Sequence, residues 1–134
     1  MDGRVALITG GSKGLGYAMG LKFAESGAKI ALAARTEAEV KQAALSIIQT
    51  TGQKAIGYVC DVANADDIKQ LHQAVTTDFE RIDILVNNAG FAKAGAFESI
   101  TDDEWQYDLD LKLMAAVRLS RLVLPSMKAN RWGR

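Results

Sequence analysis

The chain has 134 residues, 49% hydrophobic and 24% charged, the composition of one soluble globular domain with enough apolar mass to fold without disulfides. Its 16 basic and 16 acidic residues cancel, which removes the electrostatic case for nucleic acid or an anionic membrane as partner. One cysteine, Cys60, excludes an internal disulfide and fits a reducing compartment; with no signal peptide and no apolar run near the roughly 20 residues of a membrane span, the cytoplasm is the expected location.

The first predicted element is a strand over Val5–Thr9, which runs into the glycine cluster Gly10-Gly11-Ser12-Lys13-Gly14-Leu15-Gly16. The P-loop spacing fails, because no glycine is followed by Lys and then Ser or Thr. The GxGxxG spacing also fails, because Met19 stands where its third small residue belongs. What fits is Thr9-Gly10-x-x-x-Gly14-x-Gly16. Leu15, Met19 and Phe23 line one face of a helix that stops at Ser26 and Gly27. Lys29–Ala34 reads as a second strand, and Val40, Ala44, Ile47 and Ile48 mark a second helix closed by Gly52. A third strand from Ala55 to Cys60 is followed by a helix marked by Ile68, Leu71, Val75 and Phe79. A fourth strand runs from Ile82 to Asn87. The strands are short and nearly all apolar, as expected when both faces are covered, and their alternation with helices predicts βαβ units and a parallel sheet. A longer helix is predicted from Asp103 to about Lys128, apolar at Leu109, Leu113, Ala116, Val117 and Leu124, with Leu111, Met114, Leu122 and Val123 widening the apolar surface. A helix apolar over so much of its circumference is expected to be buried on more than one side, so self-association is expected there. After it a fifth strand would be normal. The chain instead reaches Trp132-Gly133-Arg134, which suggests either a helix closed by a partner or a piece of a longer protein.

Glycines at a strand–helix turn serve sterics alone in many proteins. At the first β–α junction of a parallel sheet, however, they also open a helix N-terminus to an anion and let a pyrophosphate approach the backbone. About 20 residues on, where an acid would read a ribose 2′-hydroxyl, stand Ala34, Arg35 and Thr36. Arg35, with Lys13 from the glycine loop, suits a 2′-phosphate and favours NADP(H) over NAD(H), an effect that Glu37 would blunt.

Thr9-Gly10-x-x-x-Gly14-x-Gly16, then Asp61-Val62, then Asn87-Asn88-Ala89-Gly90 resembles the short-chain dehydrogenase/reductase family over the whole chain, and is similar to its acyl-carrier-protein ketoreductase-like members. The resemblance implies a Rossmann-type, doubly wound parallel sheet of order 3-2-1-4, one domain over residues 1–134 that ends before the fifth strand. It implies an oxidoreductase that interconverts a carbonyl and an alcohol by hydride transfer. The glycine loop would hold the cofactor's diphosphate, Asp61 and Val62 its adenine, and Asn88, Ala89 and Gly90 the nicotinamide ribose. Asp61 would serve equally as the N-cap of the following helix.

Two departures from the family pattern stand out. Counted from Trp105, Lys112 occupies the position where the family carries an asparagine credited with holding a proton-relay water. The family's general acid, a tyrosine with a lysine four residues on, is absent: four residues after Tyr17, Tyr58 and Tyr107 stand Leu21, Val62 and Leu111. No catalytic residue is therefore assigned, and the 134 residues alone are expected to be inactive. A non-catalytic nucleotide- or partner-binding half-Rossmann module is the alternative. A SAM-binding fold is a remote third, because it expects an acid where Arg35 stands. His72 has no second histidine for a metal site. Asp102, Asp103 and Glu104 read as an acidic first helical turn, Asp108 and Asp110 as solvated, and Cys60 as inert core. The substrate is not legible; residues 91–97 offer its only candidate wall.

Overall fold

The computed structural model describes residues 1–91 and 94–134. In chain order it has β1 (Val5–Thr9), α1 (Gly14–Glu25), β2 (Lys29–Ala34), α2 (Glu37–Thr51), β3 (Ala55–Val59), α3 (Ala65–Phe79) and β4 (Ile84–Val86). A 3-10 turn (Phe97–Ser99), α4 (Asp102–Leu109), a π turn (Asp110–Met114) and α5 (Ala115–Ala129) follow. Among the described residues the strands form one parallel sheet ordered β3-β2-β1-β4, the expected Rossmann-type arrangement.

Strand alternation splits the core into two layers. Ala6, Ile8, Ile30 and Leu32 face α1 and α2, while Val5, Leu7, Ala31 and Ala33 face α3 and α5. Double-sided burial holds for β1 and, apart from its two end residues, for β2, but not for the outer strands. β3 has a single strand neighbour, and its Val59 is 55% exposed. β4 is shorter than predicted because its flanks bond otherwise. The Asp83 carboxylate accepts the Val5 N–H at 2.9 Å, and the Asn88 N–H turns back to the Val86 carbonyl at 3.1 Å.

Two predicted helix faces need correction. On α1 the fully buried positions are Gly16, Gly20 and Ala24; Met19 and Phe23 pack against the core half-buried, as expected, but Leu15 is 76% exposed. The helix lies too close to the sheet for larger residues: a Cβ on Gly20 would stand 3.2 Å from Leu32 and 3.3 Å from Ile47. On the long C-terminal helix the core takes Leu111, Ala115, Leu119 and Val123, while Leu109, Leu113, Val117 and Leu124 are exposed. Steps of four residues over-rotate an α-helix by about 40° each. The wider π turn over Asp110–Met114 winds less per residue and reduces that drift between Leu111 and Ala115. Smaller differences are Ile48, 39% exposed on α2, and the start of the long helix at Asp102. The helix continues through Pro125 to Ala129.

Candidate functional site

The carboxyl ends of the strands converge on the glycine loop, and Thr9 ties them together. Its buried hydroxyl accepts the N–H groups of Asn88 and Ala89, each at 3.0 Å, and donates to the Val86 carbonyl. The Asn88 amide donates back to the carbonyls of Thr9 (3.0 Å) and Gly10 (3.2 Å). Residues 9–10 and 88–89 are thereby fixed as one unit. Gly14 opens α1 with φ +57°, a left-handed conformation that disfavours a side chain. Gly16 is required for space instead, since a Cβ there would meet the Gly10 carbonyl oxygen and the Asn88 amide.

α1 begins with no side-chain cap and no acid in its first turn. α2, α3 and α4 each carry acids there. The first N–H groups of a helix lack intrahelical partners and sit at the positive end of its dipole, so α1 alone among these four offers that charge to an outside anion. Beside it lies a cleft of about 610 Å³. Of the residues expected at the site, Gly10, Ser12, Lys13, Leu15, Arg35, Thr36, Asp61, Val62, Asn88, Ala89 and Gly90 line it. Gly11, Gly14 and Gly16 do not line it: Gly11 and Gly16 are buried, and Gly14 is exposed at the start of α1. The sequence reading missed Ala33, Ala34, Glu39, Cys60 and Phe91 in the wall.

The two cations are both engaged. Lys13 Nζ is 3.6 Å from Glu39 Oε2, which also accepts the Ser12 hydroxyl at 3.3 Å. Arg35 Nη1 donates to the Tyr107 hydroxyl at 3.2 Å, and its guanidinium carbon stands 5.5 Å from the Phe91 ring centroid. Thr36 is the N-cap of α2 but makes no side-chain cap bond. At the end of β3, Asp61 does not cap α3. Asn64 does so, accepting from Asp66 and Asp67 N–H, while Asp61 Oδ1 accepts the Ala63 N–H in a local turn. Burial, reinforced by the Asp67 and Asp61 carboxylates, pushes the Cys60 thiol up to about 12 and leaves it a neutral wall.

The model of the short chain dehydrogenase family matches residues 4–134. The chain belongs to the short-chain dehydrogenase family. It is 35% identical over its full length to a 3-oxoacyl-[acyl-carrier-protein] reductase of Vibrio cholerae, covering 53% of that protein. To a D-beta-hydroxybutyrate dehydrogenase of Cupriavidus necator it is 33% identical, covering 52%. Among solved structures, L-sorbose reductase of Gluconobacter frateurii complexed with NADPH and L-sorbose superposes with a TM-score of 0.94 at 38% identity, over 97% of this chain and 49% of that one. A metagenomic short-chain oxidoreductase in complex with NADP gives 0.93 at 32% identity, over 98% and 59%. The chain thus spans about half the length of the curated relatives it matches.

At Lys112, expected to stand where the family carries an asparagine, the half-exposed ammonium pairs with Asp108 one turn back, 2.7 Å away. Asp110, expected to be solvated, is held below the usual carboxylate range by hydrogen bonds from Gln106 and Arg118. Both aspartates are therefore paired rather than free. Phe91, Tyr107 and Lys112 also line a second hollow of about 510 Å³, next to the exposed Trp105. Of the stretch 91–97, residues 92 and 93 lie outside the described residues. Burial lowers the His72 pKa, and the described residues contain no metal-binding cluster. No helix among them is long and apolar enough to cross a membrane.

Proposed function

We propose that the cleft binds NADP(H) in preference to NAD(H), and that the chain is the cofactor-binding portion of an oxidoreductase that interconverts a carbonyl and an alcohol. The observation that carries this is the acid-free N-terminus of α1 opening onto a cleft that also holds Arg35, Asp61 and Asn88. The donor set fits a dinucleotide. N–H groups of the loop and the first turn of α1 hold the diphosphate, and Asp61 with Val62 holds the adenine. Residues 88–90 hold the nicotinamide ribose, and Arg35 with Lys13 takes the 2′-phosphate through charge-assisted bonds. Bound there, the nicotinamide supplies the hydride; the residues of this chain bind and orient it and, with Val62 and Cys60 in the wall, keep water from part of the cleft.

Without Tyr-x-x-x-Lys, no pair in these 134 residues supplies the proton that carbonyl reduction needs, so they alone turn over no substrate. We place the protein in the cytoplasm and assign self-association to the face carrying Leu109, Leu113, Val117 and Leu124, which is exposed in the single chain. The cofactor reading is tested by titrating NADPH and NADH against wild type and Arg35→Asp in the intact protein. Loss of a charge-assisted contact of about 1.5–3 kcal/mol makes the variant bind NADPH roughly ten- to 150-fold more weakly, with NADH little changed. Equal wild-type affinities for the two cofactors overturn the preference.

A further inference from the structure

Glu39 lies on the first turn of α2, five residues beyond the end of β2, and its side chain enters the cofactor cleft. One oxygen, Oε2, bonds the Ser12 hydroxyl at 3.3 Å and lies 3.6 Å from the Lys13 ammonium. The carboxylate therefore occupies the two loop groups best able to reach a phosphate on the adenosine ribose. Arg35, in the same cleft, is turned toward Tyr107 and Phe91.

A carboxylate and a phosphate are both acceptors and both anionic, so they cannot share Ser12 and Lys13 without repulsion. A ribose 2′-hydroxyl is a donor, and an acid within reach accepts from it. The usual place for such an acid, the end of the second strand, is Ala34 here. We propose that Glu39 is a specificity-determining residue of this site: it opposes the 2′-phosphate of NADP(H), accepts from the 2′-hydroxyl of NAD(H), and so limits a preference that Arg35 and Lys13 would otherwise make larger. This rests on the dinucleotide reading of the cleft. Glu39 is 44% exposed at its side chain, so the pair with Lys13 is a surface pair that adds little to folding, and replacing it leaves the fold intact.

The test is the ratio of NADPH to NADH dissociation constants, measured by fluorescence titration of the intact protein as wild type, Glu39→Gln and Glu39→Ala. 2′,5′-ADP and 5′-ADP serve as fragment probes of the same position. Removing one like charge near the 2′-phosphate tightens NADPH and 2′,5′-ADP by about three- to tenfold in both variants. NADH and 5′-ADP bind more weakly to Glu39→Ala, which has lost the acceptor for the 2′-hydroxyl; unchanged NADH binding there overturns that contact. If wild type prefers NADPH and neither variant shifts the ratio, the role of Glu39 is overturned while the cofactor reading stands. If wild type shows no preference but both variants acquire one, Glu39 has the proposed role and the stated preference of the native site is wrong. If wild type binds neither dinucleotide, the reading of the cleft fails and the proposal with it.

Discussion

Replacing Gly16 by alanine puts the packing of the glycine loop to a quantitative test. The added Cβ would fall 2.7 Å from the Asn88 amide nitrogen and closer still to the Gly10 carbonyl oxygen, and the latter is backbone that cannot swing aside. Relief requires α1 to back away from the loop or Asn88 to give up its bonds to Thr9 (3.0 Å) and Gly10 (3.2 Å). Overpacking of this kind costs about 1–3 kcal/mol, and two lost hydrogen bonds add about 0.5–1.5 kcal/mol each. Gly16→Ala is therefore expected to lose about 2–6 kcal/mol of unfolding free energy in urea, and to bind NADPH more weakly because the loop can no longer approach the diphosphate. Asn88→Ala alone should cost about 1–3 kcal/mol, and the double variant less than the sum, because the two changes disturb one contact. A Gly16→Ala protein within about 0.5 kcal/mol of wild type, with unchanged NADPH affinity, would refute this account of the loop.

Asp83, 2% exposed, holds Arg4 at 3.2 Å, Arg81 at 3.0 Å and the Val5 N–H at 2.9 Å. Asp83→Ala should therefore destabilise by about 2–4 kcal/mol in denaturant titration, below the full cost of breaking a buried pair because both arginines reach water. Cys60 stays protonated in the fold up to about pH 12 but ionises near pH 9 when unfolded. Above about pH 9 the unfolded chain thus binds fewer protons, so this group makes stability fall as pH rises toward 12, a slope that Cys60→Ala removes. Iodoacetamide should label Cys60 slowly in native protein and rapidly in urea. Lys112→Ala breaks only an i,i+4 surface pair and should change stability by less than about 0.5 kcal/mol. Val117→Glu should convert an associated wild type to monomer in sedimentation at micromolar concentration; a monomeric wild type removes the proposed interface.

Strand positions and the chain's convergence on residues 10–16 were legible in the sequence because each rests on backbone requirements, whereas the strand order followed only from the family resemblance. Glycines recur where Gly14 needs a positive φ and where Gly16 has no room for a Cβ, and short apolar runs recur where a strand is buried. Helix faces were less legible. On α1 a search for large apolar residues selects Leu15, yet close approach to Leu32 and Ile47 selects Gly20. On the C-terminal helix two apolar stripes run side by side at a spacing of four, and the core takes Leu111, Ala115, Leu119 and Val123 while Leu109, Leu113 and Val117 face solvent. Site details set by short-range competition were also hidden. Either Asp61 or Asn64 suits an N-cap by type, and the backbone turn at Asp61 decides for Asn64. Glu39 enters the cleft only because α2 starts at Glu37 and so turns that side chain toward Ser12.

The central claim is that residues 10–16, 35, 61 and 88–90 form one dinucleotide site with a 2′-phosphate subsite. It is tested most directly by the crystal structure of the intact protein with NADP⁺. The account predicts the diphosphate within hydrogen-bond distance of backbone N–H groups in residues 10–16, and Arg35 released from Tyr107 onto the 2′-phosphate. A diphosphate bound away from that loop, or a 2′-phosphate in solvent with Arg35 still on Tyr107, would contradict it.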